Sequence, residues 1–396
     1  MKESEIFQQI MDRRGTASVK WDEADQLFGG KDLLPMWVAD MVFPAPVQVT
    51  EALRKRVEHA IYGYTFRSDN YLKSVQRWMQ SRQNWSIETE WICHSPGVVT
   101  ALNLIVDGFT EPDDKILIQP PVYPPFRKSA ENQNRDLVTS PLIYEQGTYR
   151  MDFKDLDRKL ADPRVRLMIL CSPHNPAGRV WTEEELRTLA ELTQRHDVLV
   201  VSDEIHGDLI LDHRRHLPFA SLSADAAARS IVCTAPSKTF NLAGLQMSNI
   251  IIANEKLRKT YLHQLRRFSL NEPTSLGVVA AEAAYTYGAE WLDQCIAYIQ
   301  GNRDFVRRYL ETQIPQLVLT PLEGTYLGWI DCRALEMTNT ALQDLMVHQA
   351  HLAVNPGHTF GKEGSGFIRI NIACSRELVK KAMDRLFQAM TSIEKL

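Results

Sequence analysis

Four short stretches of this 396-residue chain carry groups suited to chemistry. In "CTAPSKTFNLAGLQ" (233–246) one primary amine, Lys238, follows an apolar run and precedes a segment ready to turn helical. In "VLVVSDEIH" an acid, Asp203, closes a β-branched run, and in "CSPHNPAGRVWTEEEL" an amide, Asn175, follows another. In "CHSPGVVTALNLIVDGF" a Pro-Gly turn opens an apolar helix; backbone amides at such a start attract anions, here those of Gly97, Val98 and Val99. Each stretch has a plainer explanation. Asp203 could cap a helix, proline and glycine around Asn175 are ordinary turn chemistry, and a lone Pro-Gly turn says little.

Together, running along the chain as an anion-binding helix start, an Asn, an Asp and a Lys, each at the end of a strand, they suit one cofactor, pyridoxal phosphate. Its aldehyde needs an amine with a pKa lowered enough to give free base, which Lys238 offers. Its ring nitrogen stays protonated beside a buried carboxylate, a role for Asp203. Asn175 can donate to the ring oxygen, and the amides of 97–99 can receive the phosphate.

Those side chains need a scaffold that gathers strand ends. β-Branched runs, "KILIQ" (115–119), "RLMILCS" (166–172), "VLVVSD" (198–203), "SIVCTA" (230–235) and "NIIIA" (249–253), alternate with helix-length polar segments such as "TEEELRTLAELTQRH" (182–196). Runs apolar on both faces and joined by helices predict an α/β fold, a mainly parallel sheet sandwiched by helices. In such sheets ligands collect at the carboxyl ends of strands. We expect a large domain over 44–280, a smaller α+β domain over 281–396 built from "TYLGWID", "HLAVNP", "GFIRINIA" and a terminal helix, and an N-terminal segment, 1–43, packed against the latter. With no Gly/Ser linker at that boundary, a continuous helix is expected to cross it.

Bulk properties exclude other classes. A net charge of −4 and a pI near 6.3 provide no field for nucleic acid or an anionic membrane. No apolar run approaches the roughly 18 residues that span a bilayer, and "MKESEIFQQI" has charges where a secretion signal is apolar. A cytoplasmic protein is expected. Its six cysteines lack CxxC or CxxH spacing, which predicts buried free thiols and no metal site.

The motifs "SPHNPAGRVW", "SDEIH" and "APSKTFNLAGLQ" resemble the fold type I pyridoxal phosphate enzymes of the aspartate aminotransferase superfamily. More narrowly, "RRGTASVKWD", "LLPMWVADMVF", "YGYT", "PVYPPF", "GTYLGWID" and "NPGHTFGKEGSGFIRINIACSR" make the chain similar, nearly end to end, to the MalY/PatB group of carbon–sulfur β-lyases, the cystathionine β-lyases. The resemblance implies an aminotransferase-like fold and further roles. Tyr123 would stack on the cofactor, Ser237 and His206 would adjoin it, and Tyr64 would reach a partner's phosphate across a homodimer with shared sites. Arg369 would grip the substrate carboxylate, with Trp37, Asp40 and Tyr326 near the entrance. His206 replaces a tyrosine usual in aminotransferases, Gln246 an arginine, and Val42 an aspartate common in the narrower group. The last change leaves the preferred amino acid open.

The reaction implied is β-elimination from cystathionine or a related cysteine S-conjugate, giving a thiol, pyruvate and ammonia. Two alternatives are an aminotransferase, and a regulatory binding protein on an aminotransferase shell. An intact Lys238, Asp203 and Asn175 argues against the second, since a pure interaction module has no need of them.

Overall fold

Strands apolar on both faces are stable only inside a sheet covered on each side, and the β-branched runs form one. A computed structural model describes residues 6–393. Its main sheet has seven strands, in the order Ile92–Ser95, Ser248–Ile251, Ser230–Thr234, Leu199–Asp203, Val165–Cys171, Lys115–Ile118 and Asp136–Thr139. The last five pair in parallel. Ser248–Ile251 instead runs antiparallel to both neighbours. The connection before it, 235–247, carries the lysine turn rather than a crossover helix, so the chain returns in the opposite direction.

Helices cover both faces. Glu183–Arg195 shows why they form where they do: Thr182 and Glu185 make a capping box at its start, and Leu186, Leu189 and Leu192 bury one stripe.

A second sheet is antiparallel throughout, ordered Val318–Leu319, Leu327–Asp331, Phe367–Asn371 and Asn355–Pro356. The helices Ala289–Gln313 and Arg376–Ile393 accompany it. A continuous helix, Ser275–Tyr287, does cross residues 280–281. It ends at Gly288, where Ala289–Gln313 begins, and only glycine fits at 288, since a Cβ there would stand 2.4 Å from the Phe240 ring.

Leu34–Pro35 pairs in parallel with Leu352–Ala353. Beyond it the chain stays laced to the second sheet, Asn371 N–H donating to Met36 O (2.8 Å) and Val42 N–H to Ala373 O (2.9 Å). The segment 36–43 thereby ends beside the lysine turn. All six cysteines are buried and unpaired. No helix among the described residues is long and apolar enough to cross a membrane.

Candidate active site

Adjacent strands deliver their last residues to one place. Leu199–Asp203 ends on the Asp203 carboxylate, Val165–Cys171 leads by a turn to Asn175, and Ser230–Thr234 leads into the short helix Pro236–Thr239, which carries Lys238. No helix follows Asp203 directly; it accepts instead from the Ile205 amide (3.2 Å), so it is not a helix cap. A cavity of about 200 Å³ opens there, and Gly97, Val98, Val99, Tyr123, Asn175, Asp203, His206, Ser237 and Lys238 all line it.

The lysine turn is held from two sides. Thr239 Oγ1 donates to Asp208 (2.8 Å), which also accepts from Trp78 Nε1 and Gln83 Nε2. Asn241, at φ 59°, donates to the carbonyls of Met41 and Phe43 and accepts from the Met41 amide. Lys238 Nζ donates to the Ala39 carbonyl at 2.7 Å.

Burial governs the charges. It pulls the Lys238 pKa down to about 8, against the carboxylate of Asp40. It pushes Asp203 up to about 7, against the Ile205 hydrogen bond and the Lys238 charge. His206 falls to about 3, by burial first and then by Lys238 and Arg369, so its imidazole is neutral; its Nδ1 is buried without a partner. Arg369 comes down to about 10 on burial. Its Nη1 donates to Asn175 Oδ1 (2.9 Å), and its Nη2 to Trp37 O (3.0 Å) and Asn355 Oδ1 (2.6 Å). Asn175 thus commits its oxygen to Arg369 and keeps its NH₂ group as a donor.

Other expected residues are present with different atoms in use. Trp37 meets Arg369 through its carbonyl, while its indole N–H donates to Lys20 O and its ring packs edge-on against Phe28. Asp40 is occupied by ion pairs with Arg13 (2.8 Å) and Lys20 (3.3 Å). Tyr326 donates its hydroxyl to Ala39 O (2.9 Å) and turns its ring edge toward His206. Val42 is buried in the core and does not line the cavity. Gln246 is exposed at a left-handed φ of 52°. Tyr64 is 97 % exposed and outside the cavity of its own chain. Ala39, Asn355 and Asp208 were assigned no role from the sequence, although Ala39 lies within "LLPMWVADMVF" and Asn355 opens "NPGHTFGKEGSGFIRINIACSR".

Pyridoxal phosphate fits this site. The helix Val98–Phe109 has no side-chain cap, and its first residues line the cavity together with Gly97, where a Cβ would meet nothing within 4 Å. A buried Asp203 held near neutrality lacks a cation, which a protonated ring would provide. Burial leaves a fraction of Lys238 as free base near neutral pH, the form that condenses with an aldehyde.

Known proteins resemble this chain throughout. The profile of the family described as Aminotransferase class I and II matches residues 38–386. Cystathionine beta-lyase PatB of Bacillus subtilis is 45% identical over 385 residues, covering 97% of this chain and 100% of that protein. Protein MalY of Escherichia coli is 33% identical, covering 98% and 99%. The crystal structure of cystalysin from Treponema denticola, which contains a pyridoxal 5'-phosphate cofactor, superposes with a TM-score of 0.95 at 38% identity, covering 98% of this chain and 99% of that one.

Proposed function

The chain belongs to the class I and II aminotransferase family, and from that premise we propose a pyridoxal phosphate-dependent carbon–sulfur β-lyase, which cleaves cystathionine or a related cysteine S-conjugate to a thiol, pyruvate and ammonia. The observation that carries the reading is likeness along 97% of the chain to a protein named cystathionine beta-lyase.

When bound, pyridoxal phosphate supplies an aldehyde that condenses with amines and a protonated ring that accepts an electron pair from the substrate's Cα. The chain's own residues do the rest. Arg369 receives the substrate carboxylate, which orients Cα. Lys238, with a pKa near 8, takes the proton from Cα as general base. Asp203 would hold a proton on the ring nitrogen by offering a buried negative charge. Asn175 would donate to the ring oxygen, Tyr123 and neutral His206 would adjoin the ring, Ser237 and the amides of 97–99 would take the phosphate, and Tyr326 would serve near the substrate. The Cβ–S bond breaks, the thiolate leaves with a proton, and the three-carbon remainder hydrolyses to pyruvate and ammonia.

The purified protein with cystathionine and no keto acid is expected to release thiol and pyruvate in equal amounts, read with a disulfide dye and a lactate dehydrogenase couple. An aminotransferase would behave differently, turning over only with an added keto acid. Strict dependence on that acceptor, with no thiol from cystathionine or cystine, would sink the lyase assignment.

We also propose a cytoplasmic homodimer with shared sites. Its support is exposure: Ile61 is 66 %, Tyr64 97 % and Phe66 79 % exposed, an apolar run that a second copy would cover. Six unpaired cysteines suit a reducing compartment. If Tyr64 reaches the partner's phosphate, mixing Tyr64→Ala chains with Lys238→Ala chains creates one site with both residues intact. Each hybrid dimer should regain up to about half of the activity of a parental dimer. No recovery after proven subunit exchange would count against sharing.

A further inference from the structure

Three arginines are buried among the described residues: Arg179, Arg303 and Arg369. Two are neutralised. Arg179 pairs with Glu323 (2.9 Å) and Glu185 (3.0 Å), and Arg303 pairs with Asp212 and with Asp304 (2.8 Å). That is the usual condition for burying a guanidinium, since an unpaired charge is costly away from water.

Arg369 is the exception. Each acceptor it meets is neutral: the side-chain oxygens of Asn175 and Asn355 and the carbonyl of Trp37. Its guanidinium carbon lies 4.9 Å from the centre of the Phe360 ring, and Nε is buried without a partner. Among the described residues no carboxylate forms an ion pair or hydrogen bond with it. The register of the second sheet sharpens the point. Asn355 is directly opposite Arg369 in the antiparallel pair, the cross-strand position where a carboxylate is the ordinary complement of an arginine. An asparagine there keeps the acceptor and omits the charge.

We propose that Asn355 is a specificity-determining residue, which holds Arg369 by a neutral oxygen so that its positive charge stays open for the carboxylate of an amino-acid substrate. An aspartate at 355 would act as an internal counter-ion and compete with that carboxylate, with little change in shape. The inference rests on the reading above that Arg369 receives the substrate carboxylate.

The test compares Asn355→Asp, Asn355→Leu and Arg369→Leu in the holoenzyme. The measurements are kcat and KM for a cysteine S-conjugate, and the inhibition constant of the matching amine, which has no carboxylate. Asn355→Asp is expected to fold with an unlowered unfolding temperature and to raise KM roughly 10- to 100-fold. Its kcat should stay within about 3-fold, and its affinity for the amine should not change. Asn355→Leu, which removes the contact without adding charge, should raise KM by less than about 5-fold. Arg369→Leu should raise KM at least as much as Asn355→Asp and spare the amine. The proposal is overturned if Asn355→Asp fails to fold, if it weakens amine and amino acid equally, or if its KM matches that of Asn355→Leu. A normal KM in Arg369→Leu would strike at the carboxylate reading itself, a failure distinct from these.

Discussion

Lys238→Ala is expected to lose at least about 10,000-fold in turnover, the scale on which removal of one member of a catalytic unit disables it. The position has no substitute. Among the described residues Lys238 is the one lysine lining the cavity, and in the proposed reaction its amine would combine covalent attachment of the cofactor with removal of the Cα proton. Burial lowers it to about 8, so part of it is free base at neutral pH. Two readouts separate chemistry from folding. Borohydride should fix the cofactor to the parent chain and not to the variant, as seen by the mass of the intact protein, while the thermal transition of the cofactor-free proteins should agree within a few degrees. Borohydride labelling of the variant at another lysine, or turnover within tenfold of the parent, would remove Lys238 from its role.

Asp203→Ala should fold and lose roughly 1,000-fold in turnover, comparable to removing a preorganised charge from a site shielded from water. The ring nitrogen would lose the buried carboxylate that holds its proton, and with it most of its capacity to take up electrons. The same burial gives an opposite effect on the cofactor-free protein. Asp203 has a folded pKa of about 7 against an ordinary 3.8, so the folded state binds the proton more tightly than the unfolded one. Its contribution is therefore full at low pH and is lost as pH rises from about 4 to about 7. At pH 8 the cofactor-free alanine variant should unfold no lower than the cofactor-free parent. Thermal scans of both at pH 5 and pH 8 check the sign, and near-parental turnover in the variant would return Asp203 to a structural part.

These two residues were legible in the sequence for a physical reason. Each ends an apolar run, and in an α/β sheet the end of a run is an address. Asn175 and the turn at Gly97 were legible in the same way. The antiparallel course of Ser248–Ile251 was not, because period and composition do not carry direction. Nor was the need for glycine at 288, which depends on a ring 48 positions earlier, Phe240. Trp37 and Asp40 were found by segment, yet their working atoms differ from those the side chains suggest: a carbonyl on Arg369, and a carboxylate already taken by Arg13 and Lys20. Asn355 opens one of the motifs, yet nothing local marked its role, which depends on the residue across the sheet.

The Ala39 carbonyl, which accepts from both Lys238 Nζ and Tyr326 Oη, belongs to the main chain and is encoded by no particular codon. Mutational scanning at position 39 would change the methyl group and leave that oxygen in place, so tolerance there would be misread as irrelevance. Chemical synthesis reaches what genetics does not: replacing the 39–40 amide by an ester weakens the oxygen as an acceptor while preserving each side chain. The acceptor is inherited through the path of the backbone from 36 to 43, and it is therefore the neighbours that fix this path, Asn241 and Asn371, on which selection can act.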